Sequence, residues 1–264
     1  MIDSKLDKKS NERHKGNKIL NVLIIFVMSI AIQIPVGISL VALPLSLRLN
    51  DWYTIAISML TLGIAVLIVW GVRSYYLPRT YEYQHYKMRA RDILINLGFF
   101  LLVIMCSISA NLLMLYFTGD TNTENEKTID ESLSSLVDKS HLPHPTIVLV
   151  TVLCICFIGP YLEELVFRGI FKETLFMKSR FWLPLIISSM VFSSQHLSSN
   201  IFSYGLYFLM GCALYITYNR RRNLKDSMMV HMLNNSLTTI PIFIGYLYFY
   251  FKYCLLYTSD AADE

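Results

Sequence analysis

Six side chains in the second half of this 264-residue chain have the types and spacings for hydrolytic chemistry: Glu163, Glu164, Arg168, His196, His231 and Asn235. They lie in or beside apolar runs, where ionisable groups are costly and usually serve a function. Glu164 and Arg168 are four residues apart, so they share a helix face and can pair. Glu163 sits about 100° around the same helix. Two adjacent carboxyls repel unless a cation holds one ionised. Arg168 can be that cation for Glu164, which leaves Glu163 free as a proton acceptor. The competing reading is an ion-pair cluster at a helix end near the headgroups. Phe192 and His196 form a second pair at helical spacing; a lone His near a helix end also suits a hydrogen-bonded structural role. His231 and Asn235 form a third. They suit stabilisation of a developing oxyanion, or equally hydrogen bonds between neighbouring helices.

The elements that must position these groups are membrane helices. The composition is 54% hydrophobic and 16% charged, with mean hydropathy +0.46. Soluble domains carry about 45–50% apolar and about 25% charged residues. A soluble enzyme, a disordered chain and a disulfide-rich secreted module are thereby excluded. Runs at 19–47, 52–70, 93–117 and 146–162 meet or approach the roughly 20 residues of a span. Shorter runs follow at 181–199, 201–218, 228–240 and 242–251. The expected fold is therefore all-α: a polytopic membrane helix bundle of about eight transmembrane helices. The site lies between helices of the C-terminal half.

A hairpin turning near 179–180 brings Glu163 and His196 to one height, since each is roughly 22 Å along its helix from the turn. Either that hairpin protrudes into the cytoplasm, or the fourth span is broken at Gly159-Pro160 with the site inside the bilayer; the second is preferred, since 181–199 reads as apolar. Lys5, Lys8, Lys9, Arg13, Lys15 and Lys18 precede the first run. With the Lys and Arg of 71–92 and of 219–225, they orient the N-terminus to the cytoplasm.

The expected organisation is a basic cytoplasmic tail (1–18), N-terminal transmembrane helices (19–118), a mobile acidic extracytoplasmic loop (119–145) and a catalytic membrane domain (146–253). The end, CLLYTSDAADE (254–264), resembles a translated sequencing adapter and is expected to be non-native, the gene fragment being truncated near Tyr253. The five cysteines mostly lie within apolar runs and read as small hydrophobes. No basic, aromatic-interleaved patch points to nucleic acid.

EELVFRG (163–169), FSSQH (192–196) and HMLNN (231–235) resemble the motifs EExxxR, FxxxH and HxxxN of the CPBP family. These are the CAAX-protease and bacteriocin-processing intramembrane proteins, also called Abi. The resemblance covers about 146–240 and does not reach 1–145. It implies an intramembrane endopeptidase in which Glu163 and His196 activate a water. His231 and Asn235 would serve the oxyanion, with Glu164, Arg168 and Phe192 in support. It also implies a peptide or protein substrate at the lipid bilayer, with a bacteriocin peptide or its transport machinery as a further partner.

The family is often labelled as metalloproteases, and Glu163, His196 and His231 could supply three zinc ligands with an open fourth position. HExxH is absent, and a metal-free glutamate mechanism is favoured, so no cofactor is expected. Ser193 and Ser194 lie beside His196, but no Gly-x-Ser-x-Gly accompanies them. Two non-enzymatic readings compete. One is an immunity or scaffold protein that binds a bacteriocin or membrane partner. The other is a transporter, for which no internal repeat is found.

Overall fold

The computed structural model describes residues 17–80, 87–134, 136, 142–176 and 181–260, with side chains to 252. The basic residues between 5 and 15, Lys139, the turn at 179–180 and the last four residues of the 254–264 tail lie outside them.

Every regular element among the described residues is helical. Helices α1 (Lys18–Ala31) and α2 (Ile34–Leu45) form one kinked span. The kink falls at Ile32 and Gln33, just before Pro35, whose missing N–H cannot bond the preceding turn. Helices α3 (Asp51–Tyr76) and α4 (Ala90–Thr118) follow. Asn50 caps the first, its side chain accepting from the Tyr53 N–H. Gly119, at φ +78°, ends the second in the left-handed conformation that glycine adopts cheaply. Then come the short α5 (Glu124–Ser134) and the long α6 (Pro145–Leu175). The last three are α7 (Trp182–Ser194), α8 (Ile201–Arg221) and α9 (Leu224–Asp260).

Five helices among the described residues are long and apolar enough to cross a membrane: Lys18–Arg48, α3, α4, α6 and α8. The chain is thus a multi-pass helical membrane protein. The span count differs from the sequence expectation in two places. The runs 228–240 and 242–251 are two parts of one helix, α9, which carries Pro241 inside it. The run 181–199 is a helix of 13 residues, shorter than a bilayer crossing.

Helix α6 is the central post. Its most apolar window is 61% buried, against 11% for α4 and 22% for α3. The peripheral helices turn Phe26, Trp70, Met105 and similar residues outward, as lipid-facing surfaces do. The main core forms where Leu162, Leu165, Val166, Phe167 and Ile170 of α6 meet Phe192, Tyr207 and Leu214. A second core gathers Ala42, Leu43, Leu133, Leu136, Ile147, Val148 and Tyr246.

Two further expectations are corrected. Gly159-Pro160 does not break the fourth span, because α6 absorbs the proline with a π-helical turn, Cys154–Ile158. Segment 119–145 is not only a loop. Thr123 and Glu126 form a reciprocal capping box, with Thr123 N–H to Glu126 Oε2 at 2.7 Å and Glu126 N–H to Thr123 Oγ1 at 3.1 Å. This starts α5, whose Leu133 is buried in the second core.

Candidate active site

Helix α6 supplies the acids. At 1.5 Å per residue, Glu163 lies roughly 27 Å from its Pro145 end and roughly 18 Å from its Leu175 end, well inside a span. Glu164 and Arg168 pair as their spacing predicts, Oε1 to Nη1 at 3.3 Å, and both are fully buried. The guanidinium also donates from Nη2 to the Gly211 carbonyl at 3.3 Å. Residue 211 is also where α8 packs closely on α7: a Cβ there would lie 3.0 Å from the Ser189 backbone. The guanidinium carbon stands 4.4 Å from the centre of the Phe192 ring.

Helix α9 supplies His231, which reaches between the two acids. Its Nδ1 is 3.0 Å from Glu164 Oε1, and its Nε2 is 3.8 Å from Glu163 Oε2. Glu164 is ion-paired with Arg168, and a carboxylate only accepts. The proton between Glu164 and His231 therefore belongs to Nδ1. A neutral His231 then presents a bare Nε2, and only the imidazolium can donate from that atom. Register along α9 is fixed at its start. Arg221 grips Asp226 with two hydrogen bonds, 2.8 and 2.7 Å, and reaches Asp92 of α4 at 2.7 Å. Asn96 adds a hydrogen bond to Asp226 at 3.0 Å.

Asn235, one turn beyond His231, is placed by the π-helical turn. The Gly159 N–H bonds the Cys154 carbonyl, five residues back. The Ile155 carbonyl would by the same register need an N–H from residue 160, which is proline and has none. Asn235 Nδ2 donates to that carbonyl at 3.0 Å. One amide proton of Asn235 is thus spent on the scaffold, and one remains for a ligand.

His196 lies beyond the end of α7, not on its face: α7 stops at Ser194. The His196 backbone N–H bonds the Ser193 carbonyl at 3.1 Å. Its ring Nδ1 is 2.9 Å from the Phe192 carbonyl, which fixes the donor at Nδ1 and leaves Nε2 as the acceptor in the neutral ring. The ring stacks on Tyr207, with centroids 4.2 Å apart. Phe192 is the hub: His196 and His231 pack against its ring at 4.6 and 5.7 Å, and Phe167 at 5.9 Å.

His196, His231 and Asn235 open together on one cavity of about 420 Å³. Its far wall comes from outside the three motifs. Ser107 and Asn111 contribute from α4; Asn125, Glu126 and Asp130 contribute from α5. Asn111 Oδ1 is buried without a hydrogen-bond partner. Helix α5 is tied over the cavity by Thr123 to the Tyr207 hydroxyl, 2.8 Å, and by the Asn125 N–H to the Leu197 carbonyl, 3.3 Å.

Reasoning on the motifs alone missed two groups in the first half of the chain. One is Asn111, whose signal is a lone amide within an apolar run. The other is Gln33, whose Nε2 donates to Glu163 Oε1 at 3.3 Å. Glu163 Oε2 has no hydrogen-bond partner and is buried. Among the described residues, no three His, Cys, Asp or Glu side chains converge closely enough to hold a metal ion. Glu163, His196 and His231 in this arrangement do not fit a zinc trio.

Residues 145–237 match the family model of the type II CAAX prenyl endopeptidases, Rce1-like. That stretch carries all three motifs. A Bacillus subtilis (strain 168) protein named "Putative membrane peptidase YdiL" is 24% identical over 143 residues. The match takes in 54% of this chain and 53% of that protein, so the chain spans about half the length of the curated relative it matches. No solved structure matches the chain.

Proposed function

We propose that this chain is an intramembrane endopeptidase of the CAAX-protease type that cleaves a peptide bond with a water activated by Glu163 and His196. The observation that carries the reading is the environment of Glu163: its Oε2 is buried, unpartnered and 3.8 Å from His231 Nε2. A carboxylate with one committed and one open oxygen is a base held ready for a proton. The family match over 145–237 supports a membrane peptidase.

The substrate peptide occupies the cavity lined by His196, His231, Asn235 and the polar wall of α4 and α5. Glu163 Oε2 takes the proton of the attacking water. His196 Nε2, bare because Nδ1 is held by the Phe192 carbonyl, orients that water; as the C–N bond breaks, the proton taken by Glu163 passes to the leaving amine. The oxyanion is met by the second amide proton of Asn235, with the His231 ring lining the same wall. Glu164 holds the other end of His231, and Arg168 holds Glu164. Burial makes the Asn235 donor worth more than in water. The proposed route uses side chains alone, without a metal. Bacteriocin maturation or self-immunity is the biological context the resemblance implies.

The test compares the N-termini of membrane proteins in cells expressing wild type, Glu163→Ala or His196→Ala. New termini with wild type, absent with both variants at equal membrane insertion, are expected. Identical termini in all three cell lines would contradict the proposal.

A further inference from the structure

We infer that Gln33, far outside the matched stretch, is a positioning residue that aims the Glu163 carboxylate. The inference rests on the proposed role of Glu163 as the base and adds the group that orients it.

A glutamate carboxylate turns about its last torsion in a broad, nearly two-fold well. Nothing within the side chain decides which oxygen faces the water. In this protein Oε1 accepts from Gln33 Nε2 at 3.3 Å, and Oε2 is thereby turned toward His231. An amide inside an apolar span is costly unless it is hydrogen-bonded. The first span carries Gln33 amid a window of mean hydropathy 2.5.

The local backbone explains how the amide reaches so far across the bundle. The kink before Pro35 exposes residue 33 on the turn between α1 and α2. Three residues on, Val36 rests on Gly159, where an added Cβ would come 3.2 Å from Val36 Cγ2. Gly159 is one turn before Glu163, on the same face of α6. Gln33 and Val36 likewise share a face. The two helices therefore touch at paired positions, Val36 on Gly159 and Gln33 on Glu163. A small residue at 159 is what lets the amide meet the acid.

The experiment uses the full chain in lipid nanodiscs with a peptide that wild type is found to cleave. Gln33→Met keeps length and bulk but removes the donor. If Gln33 only fills space, this variant should match wild type. If it aims the base, kcat falls ~10- to 100-fold, the scale of a misdirected catalytic group, while KM stays within about two-fold and thermal stability is kept. Gly159→Val, which wedges the helices apart, should lower kcat in the same way. A folded Gln33→Met protein with wild-type kcat, beside an inactive Glu163→Gln, would overturn this inference and leave the proposed function standing. Activity retained in Glu163→Gln would overturn the function itself.

Discussion

Removing Arg168 isolates the structural half of the site from its chemistry. In Arg168→Met the Glu164 carboxylate, fully buried, loses its only nearby permanent cation among the described residues. Breaking one partner of a buried pair costs about 3–5 kcal/mol, because the remaining charge is left uncompensated. The lost contact of the guanidinium with the Phe192 ring, now at 4.4 Å, adds to this. Glu164→Gln alone leaves Arg168 buried without its counter-charge and should cost a similar amount. The double variant removes both charges and keeps an amide oxygen for His231 Nδ1. It should therefore lose about 1–3 kcal/mol less than the sum of the single variants, as coupled contacts do. The assay is reversible unfolding in mixed micelles, with the four proteins compared in one cycle. Additive losses, or an Arg168→Met loss below about 1 kcal/mol, would refute the claim that a buried ion pair holds His231 in place.

Three other outcomes follow from the same geometry. Asn235→Leu leaves the Ile155 carbonyl without its 3.0 Å donor, so it should cost about 1–3 kcal/mol of stability as well as activity; a cleavage assay and a melt on one preparation separate the two losses. Asn111→Leu replaces a cavity amide whose Oδ1 is buried without a hydrogen-bond partner and should raise KM by several-fold while melting at or above the wild-type temperature; an unchanged KM would remove Asn111 from substrate binding. Treatment with a strong zinc chelator should leave the cleavage rate within about two-fold, and loss that added zinc restores would overturn the metal-free route.

How much of this was legible in the residues depends on whether the partner was local. The Glu164–Arg168 pair could be read directly, because i,i+4 spacing is a property of any helix. The Asn235 contact could not, since it depends on a π-helical register that leaves the Ile155 carbonyl without a donor. Pro160 hinted at a disturbance, yet the helix runs through it instead of breaking. His196 was misplaced onto α7 because its four-residue spacing from Phe192 suits a helix, whereas the helix ends at Ser194. Helix α5 hides in a polar stretch, betrayed only by its Thr-x-x-Glu cap and a few apolar anchors. Gln33 meets an acid 130 residues away, a pairing set by how the first span packs against α6 rather than by any local pattern.

The most direct test of the central claim is the turnover of a purified, nanodisc-embedded Glu163→Gln protein. The substitution changes one carboxylate oxygen to an amide nitrogen and keeps size and shape. Loss of a general base predicts a fall in kcat of about 10²- to 10⁴-fold with melting temperature and KM preserved. Wild-type turnover in that folded variant would contradict the account.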